Sequence, residues 1–154
     1  MSTNGISTFD ASTLCQVAIV VKSVDDAVKF YNEVFGIGPF ERMEVNFPGA
    51  TYYGEKGGYR GKRAFAKLGP VTLELIELMD GKTVHEDFLK GKGEGVHHLA
   101  FTVKDLSKFE EEATKFGLNV VQEMRRPDGS GFAYLDTDRF GGVMFELIQR
   151  PEQK

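Results

Sequence analysis

The chain has 154 residues, 41% of them hydrophobic and 13 of them phenylalanine, enough to fill one core or two half-domains that share one. Its formal net charge of −4, with no Lys/Arg run and no basic helix, argues against nucleic acid as the main partner. No apolar run approaches membrane-spanning length, the opening MSTNGISTFD lacks a charged-then-apolar leader pattern, and the single cysteine, Cys15, excludes an internal disulfide framework, so a cytoplasmic domain is expected.

In chain order, residues 1–11 read as a polar, mobile tail, followed by one domain over residues 12–149. QVAIVVKS (16–23) is a strand. It leads through Ser23, an N-cap, into a helix on which Val24, Ala27, Val28, Tyr31, Val34 and Phe35 fall at helical spacing, stopped by Gly36. Strands are expected near Phe40–Val45 and Lys62–Leu68, then along GPVTLELIE (69–77), where Glu77 marks a solvated face. Between them TYYGEKGGYRGKR (51–63) reads as a flexible hairpin loop with solvated charges, although Arg60, Lys62 or Arg63 would suit a phosphate or carboxylate.

Residues 80–94 form a connection with a short helix around Val84–Leu89, which would leave His85 exposed. GVHHLAFTV (95–103) is a strand, and in a regular strand His97 and His98 point to opposite faces; His97 is then structural or supports the site from behind. A second helix carries Leu106, Phe109, Ala113 and Phe116 between an Asp105 cap and Gly117. Strands near Asn119–Glu123 and Gly131–Asp136 and along GGVMFELIQ (141–149) complete the chain. Pro127–Gly131 is a turn that could also close over a ligand.

The two halves repeat one another. QVAIVVKS lies over HLAFTVKD (98–105), matching Ala18 to Ala100, Val21 to Val103 and Lys22 to Lys104; GPVTLELIE lies over GGVMFELIQ, matching Glu74 to Glu146. Two matches in the same order identify a duplicated strand–helix–strand–strand–strand unit, with modules at 14–79 and 96–149. The class is α+β with a mainly antiparallel sheet.

The duplication also matches His98 to Gln16, so four polar side chains occupy equivalent places: Gln16, Glu74, His98 and Glu146. Burying two carboxylates in apolar strands costs several kcal/mol each unless a charge or metal compensates. The neighbouring strands offer no Lys or Arg at matching repeat positions. A divalent ion is the economical explanation, and the N/O donor set suits Zn²⁺, Ni²⁺, Co²⁺, Mn²⁺ or Fe²⁺. Taken singly, each residue has a plainer reading: a hydrogen-bonded histidine, or a strand glutamate on a solvated face.

The phrases CQVAIVVKSVDDAVKFYNEVFGI, LGPVTLELIEL, FLKGKGEGVHHLAFTV and YLDTDRFGGVMFELIQ resemble the vicinal oxygen chelate superfamily, which includes glyoxalase I, methylmalonyl-CoA epimerase, extradiol dioxygenases and bleomycin-resistance proteins. The resemblance implies paired βαβββ modules cupped around a metal held by Gln16, Glu74, His98 and Glu146, with zinc foremost and Ni, Co or Mn as alternatives. It further implies a homodimer and a lyase or isomerase acting on a small carbonyl or thioester substrate, in which a metal-bound enolate or enediolate forms. Glu146 is then the base and Glu74 a ligand and possible catalytic partner. The Gln/Glu/His/Glu set resembles glyoxalase I, while FLKGKGEGVHHLAF resembles the epimerase. VDDAVKFY lacks the Arg that glyoxalase I places before its Phe-Tyr pair, and Gln16 stands where the epimerase uses His. A non-catalytic binder of the bleomycin-resistance kind is the alternative; dioxygen chemistry, which wants two His and one carboxylate, is less well matched.

Overall fold

Apolar residues lie on both sides of the central strands, so both faces of the sheet must be covered. The computed structural model describes residues 5–154; residues 1–4 of the expected tail lie outside the described residues. The first module contains β1 (Leu14–Val20), α1 (Val24–Phe35), β2 (Glu41–Phe47), a small hairpin of β3 (Thr51–Tyr52) and β4 (Glu55–Lys56), β5 (Tyr59–Leu68) and β6 (Val71–Gly81). After α2 (Val84–Lys92), the second contains β7 (Gly95–Thr102), α3 (Leu106–Lys115), β8 (Val120–Arg125), β9 (Gly131–Leu135) and β10 (Met144–Gln149).

One curled eight-stranded sheet runs in the order β2-β5-β6-β1-β7-β10-β9-β8. In each module the first and last strands pair in parallel and in the same register: Gln16 opposite Thr72 and Ala18 opposite Glu74, then His98 opposite Met144 and Ala100 opposite Glu146. The modules join where β1 and β7 run antiparallel, with Ala18 opposite His98 and Gln16 opposite Ala100. Residues paired across strands share a face. Register alone therefore puts Gln16, Glu74, His98 and Glu146 on one side of the sheet, at its centre.

Helices α1 and α3 cover the other, convex side. Val24 and Val28 of α1 bury against Ala64, Leu73 and Leu75, and Leu106, Phe109 and Ala113 of α3 against Phe101, Ala133 and Leu147. The caps are those expected: Ser23 accepts from the Asp26 N–H, Asp105 from the Lys108 N–H, and Gly36 closes α1 at φ 66°. Glu77 is not on a solvated face. It is half-buried and accepts the Val24 N–H at 2.8 Å, a second cap on the first turn of α1. Residues 5–11 depart from the expected tail: Phe9 packs with Phe101, Phe109 and Phe145, because the convex core of the second module would otherwise leave apolar surface in water.

The concave side is filled from within the chain. Phe88 and Leu89 of α2 rest on Ala18, Val20 and Ile76. Residues 51–63 form no free loop either: the Tyr53 N–H donates to the Val121 carbonyl at 2.7 Å, tying the β3–β4 hairpin across the cup, and β5 has begun by Tyr59. No described helix is long and apolar enough to cross a membrane.

Candidate metal centre

Three of the four expected residues converge. His98 Nε2 lies 2.9 Å from Glu146 Oε2 and 3.4 Å from Glu74 Oε2. The imidazole is sealed from solvent, while the Glu74 and Glu146 side chains keep 11% and 8% exposure, so the carboxylates retain a small solvent contact that the ring lacks. Gln16 is half-buried on the same face, one pair along the strand from His98; its amide makes no hydrogen bond to the trio among the described residues.

The approach of His98 to Glu146 has the distance of a hydrogen bond without its direction, and both His98 Nε2 and Glu146 Oε2 are buried with no hydrogen-bond partner among the described residues. Buried polar atoms left this way ask for a reason. Ligand distances of about 2.0–2.2 Å hold two ligands of one small divalent ion about 3 Å apart, the spacing found here. The donor set of one imidazole nitrogen and carboxylate oxygens therefore fits such an ion.

Charge at the site differs from the expectation in one respect. Arg63, 4% exposed, places Nε 3.3 Å from Glu74 Oε1, so one buried carboxylate has a cation from its own module. The repeat hid this partner. Arg63 lies opposite Ile76, and the equivalent place in the second module, opposite Ile148, is Phe132. Glu146 has no arginine; its compensation comes from His98. Burial alone would lower the His98 pKa, but Glu146 and Glu74 outweigh it and hold it up at about 9. A metal ion held by His98 Nε2 would take the place of that proton.

His97 does not turn away from His98. Ala18 pairs with His98 and Ile19 with Val96, so His97 is the extra residue of a β-bulge, and both rings meet on the concave side with Nδ1 atoms 2.8 Å apart. No residue type in GVHHLAFTV announces a bulge. His85 is also misplaced by the sequence reading: it is 1% exposed, because α2 packs inside the cup. Its Nδ1 lies 2.9 Å from Thr83 Oγ1 and its Nε2 3.2 Å from Tyr134 OH, so both His85 nitrogens are committed, and the His85–His97–His98 cluster lacks a carboxylate. Gln122, fully buried, anchors the start of α2 by accepting from Thr83 Oγ1 and the Val84 N–H; nothing in its neighbourhood in sequence signals that role.

Residues 15–134 match the family described as the Glyoxalase/Bleomycin resistance protein/Dioxygenase superfamily. An uncharacterised Bacillus subtilis protein, YqjC, is 28% identical over 88% of this chain and 91% of its own length. The lactoylglutathione lyase GLX1 of Arabidopsis thaliana is 29% identical over 92% of this chain, which spans only 45% of that protein. Among solved structures, methylmalonyl-CoA epimerase from Mycobacterium tuberculosis overlays with a TM-score of 0.68 at 22% identity, covering 99% of this chain and 94% of that one. A Streptomyces coelicolor epimerase, solved with 2-nitronate-propionyl-CoA, gives 0.68 at 24% identity over 91% and 98%. With more than half of its length matched by the family and the same cupped fold in its structural neighbours, the chain belongs to the glyoxalase/bleomycin resistance protein/dioxygenase superfamily.

Proposed function

We propose that this protein is a metal-dependent enzyme of the glyoxalase type that moves a proton on carbon next to a carbonyl, with Glu146 as the base. The observation that carries the reading is the convergence of His98 Nε2 and Glu146 Oε2, both buried and without hydrogen bonds, beside Glu74. Gln16, Glu74, His98 and Glu146 would hold the ion; zinc suits the set best, and Ni²⁺, Co²⁺ or Mn²⁺ would also suit it. Bound there, a divalent ion supplies Lewis-acid polarisation of a substrate oxygen.

The remaining work falls to the chain itself. Glu146 Oε2 faces His98 Nε2 at 2.9 Å and has no hydrogen-bond partner among the described residues, and a positioned base of this kind contributes about 10²- to 10⁴-fold. Glu74 is less free, because Arg63 holds its Oε1; it orients and holds rather than moving a proton. Ala18 pairs with Glu74, and Ala100 and Tyr134 pair with Glu146; all three are buried and put apolar or aromatic surface beside the carboxylates, which limits water there. The relatives frame two substrate classes, a glutathione hemithioacetal and an acyl-CoA thioester. Assays of metal-loaded protein with methylglyoxal plus glutathione and with methylmalonyl-CoA separate them. Turnover of either that vanishes in Glu146→Gln supports the reading; turnover that survives the substitution refutes it.

One observation favours a second reading, a non-catalytic binder. Arg63 and a protonated His98 can together balance Glu74 and Glu146 with no ion present. Protein purified without chelators and lacking any affinity for Zn²⁺, Ni²⁺ or Co²⁺ would favour that reading.

A further inference from the structure

The metal-centre reading leaves His97 without a role, yet its ring is 1% exposed and sits at a break in strand pairing. Its Nδ1 lies 2.8 Å from His98 Nδ1. Two ring nitrogens at that distance share one proton: two protons would clash, and two lone pairs would repel. If His97 owned the proton, a neutral His98 would carry its own on Nε2, aimed at the carboxylates and useless for holding a cation. If His98 owns it, Nε2 is left to offer a lone pair to a cation held beside Glu74 and Glu146, or to carry the proton that balances them when no cation is bound, and His97 accepts.

From this geometry we infer that His97 is a positioning residue whose Nδ1 accepts the His98 Nδ1–H, fixing both the tautomer and the ring angle of His98 so that Nε2 faces the two carboxylates. This rests on the metal-centre reading above. A ligating imidazole ordinarily donates its second N–H to a carboxylate, a backbone carbonyl or water. Here a second imidazole takes that part, and the bulge is what makes it possible, since a regular strand would send His97 to the convex side. His85 does not compete for the same proton, because Thr83 and Tyr134 already face its nitrogens. Edge-on contacts with Phe88 and His85, at centroid distances of 5.2 and 4.7 Å, hold the His97 ring in place.

With three histidines in the chain, ¹⁵N NMR of histidine-labelled protein resolves the arrangement directly. The shared proton should be bonded to His98 Nδ1, with a coupling across the hydrogen bond to His97 Nδ1, in metal-free and Zn²⁺-loaded protein alike. A proton bonded to His97, or no coupling between the rings, overturns the proposal. Two near-isosteric variants then separate positioning from packing. His97→Asn keeps an acceptor oxygen near the Nδ1 position and should bind Zn²⁺ within a few-fold of the parent. His97→Leu loses the acceptor and should bind about 10- to 100-fold more weakly. Equal weakening in both variants makes the role structural and contradicts the inference. Should the parent bind no metal, the metal-centre reading fails by itself, while the NMR result still decides which ring owns the proton.

Discussion

Glu74 and Glu146 are equivalent by the repeat and different in surroundings: Arg63 stands beside Glu74 and His98 beside Glu146, the difference on which the proposed division of roles rests. Glu146→Gln should lower kcat about 10²- to 10⁴-fold while the thermal midpoint stays within a few degrees; unchanged kcat would remove Glu146 as the base. Arg63→Met leaves the buried Glu74 without its cation and should destabilise the metal-free protein by about 3 kcal/mol in urea unfolding. The double variant Arg63→Met, Glu74→Met should recover most of that loss, and additive losses would show that the pair does not interact. A third carboxylate gives a pH signature away from the site. Burial and the neighbouring Glu123 raise the Glu110 pKa to about 7, although the Arg125 guanidinium lies 2.8 Å away and opposes the shift. A carboxyl raised from about 4.5 when folded holds more protons than when unfolded, so stability falls as pH rises from about 4.5 through 7. With Glu110 partly solvated the fall is about 1 kcal/mol, and Glu110→Gln should flatten it in melts taken across that range.

Elements were legible wherever one period ran without interruption. Val24, Val28 and Tyr31 mark α1, and Ser23, Asp105 and Gly36 mark helix ends, because caps are local chemistry. Ser23→Ala should cost about 1 kcal/mol, less if the Glu77 carboxylate carries most of the capping; no change in unfolding free energy would assign the cap to Glu77 alone. What sequence could not give depends on partners far along the chain. The bulge at His97 is set by pairing with β1, the burial of His85 by α2 entering the cup, and the order of residues 51–56 by Tyr53 reaching Val121. Gly81 belongs to the same class. At φ 97° it runs so close to β5 that an added Cβ would lie 2.2 Å from the Gly58 carbonyl oxygen. Gly81→Ala should therefore destabilise the fold, and a parent-like melt would contradict that packing.

At the scale of the molecule, duplication made the candidate cluster legible. Matching Gln16 to His98 and Glu74 to Glu146 named four positions that the sheet register places on one face, and three of them meet within ion-pair distance. The same reasoning missed Arg63 because that residue breaks the repeat, standing where the second module has Phe132. An ion bound as proposed would couple this centre to global stability: a ligand at about 100 times its Kd adds about 2.7 kcal/mol, which for a chain of this size raises the midpoint by about 5–10 °C. The most direct measurement is titration of chelator-treated protein with Zn²⁺ or Co²⁺, read as stoichiometry and affinity, for the parent and for folded His98→Gln and Glu146→Gln variants. One ion per chain in the parent, with binding weakened at least tenfold in both variants, is the predicted result. A parent that takes up no ion, or variants that bind as tightly as the parent, would contradict the account.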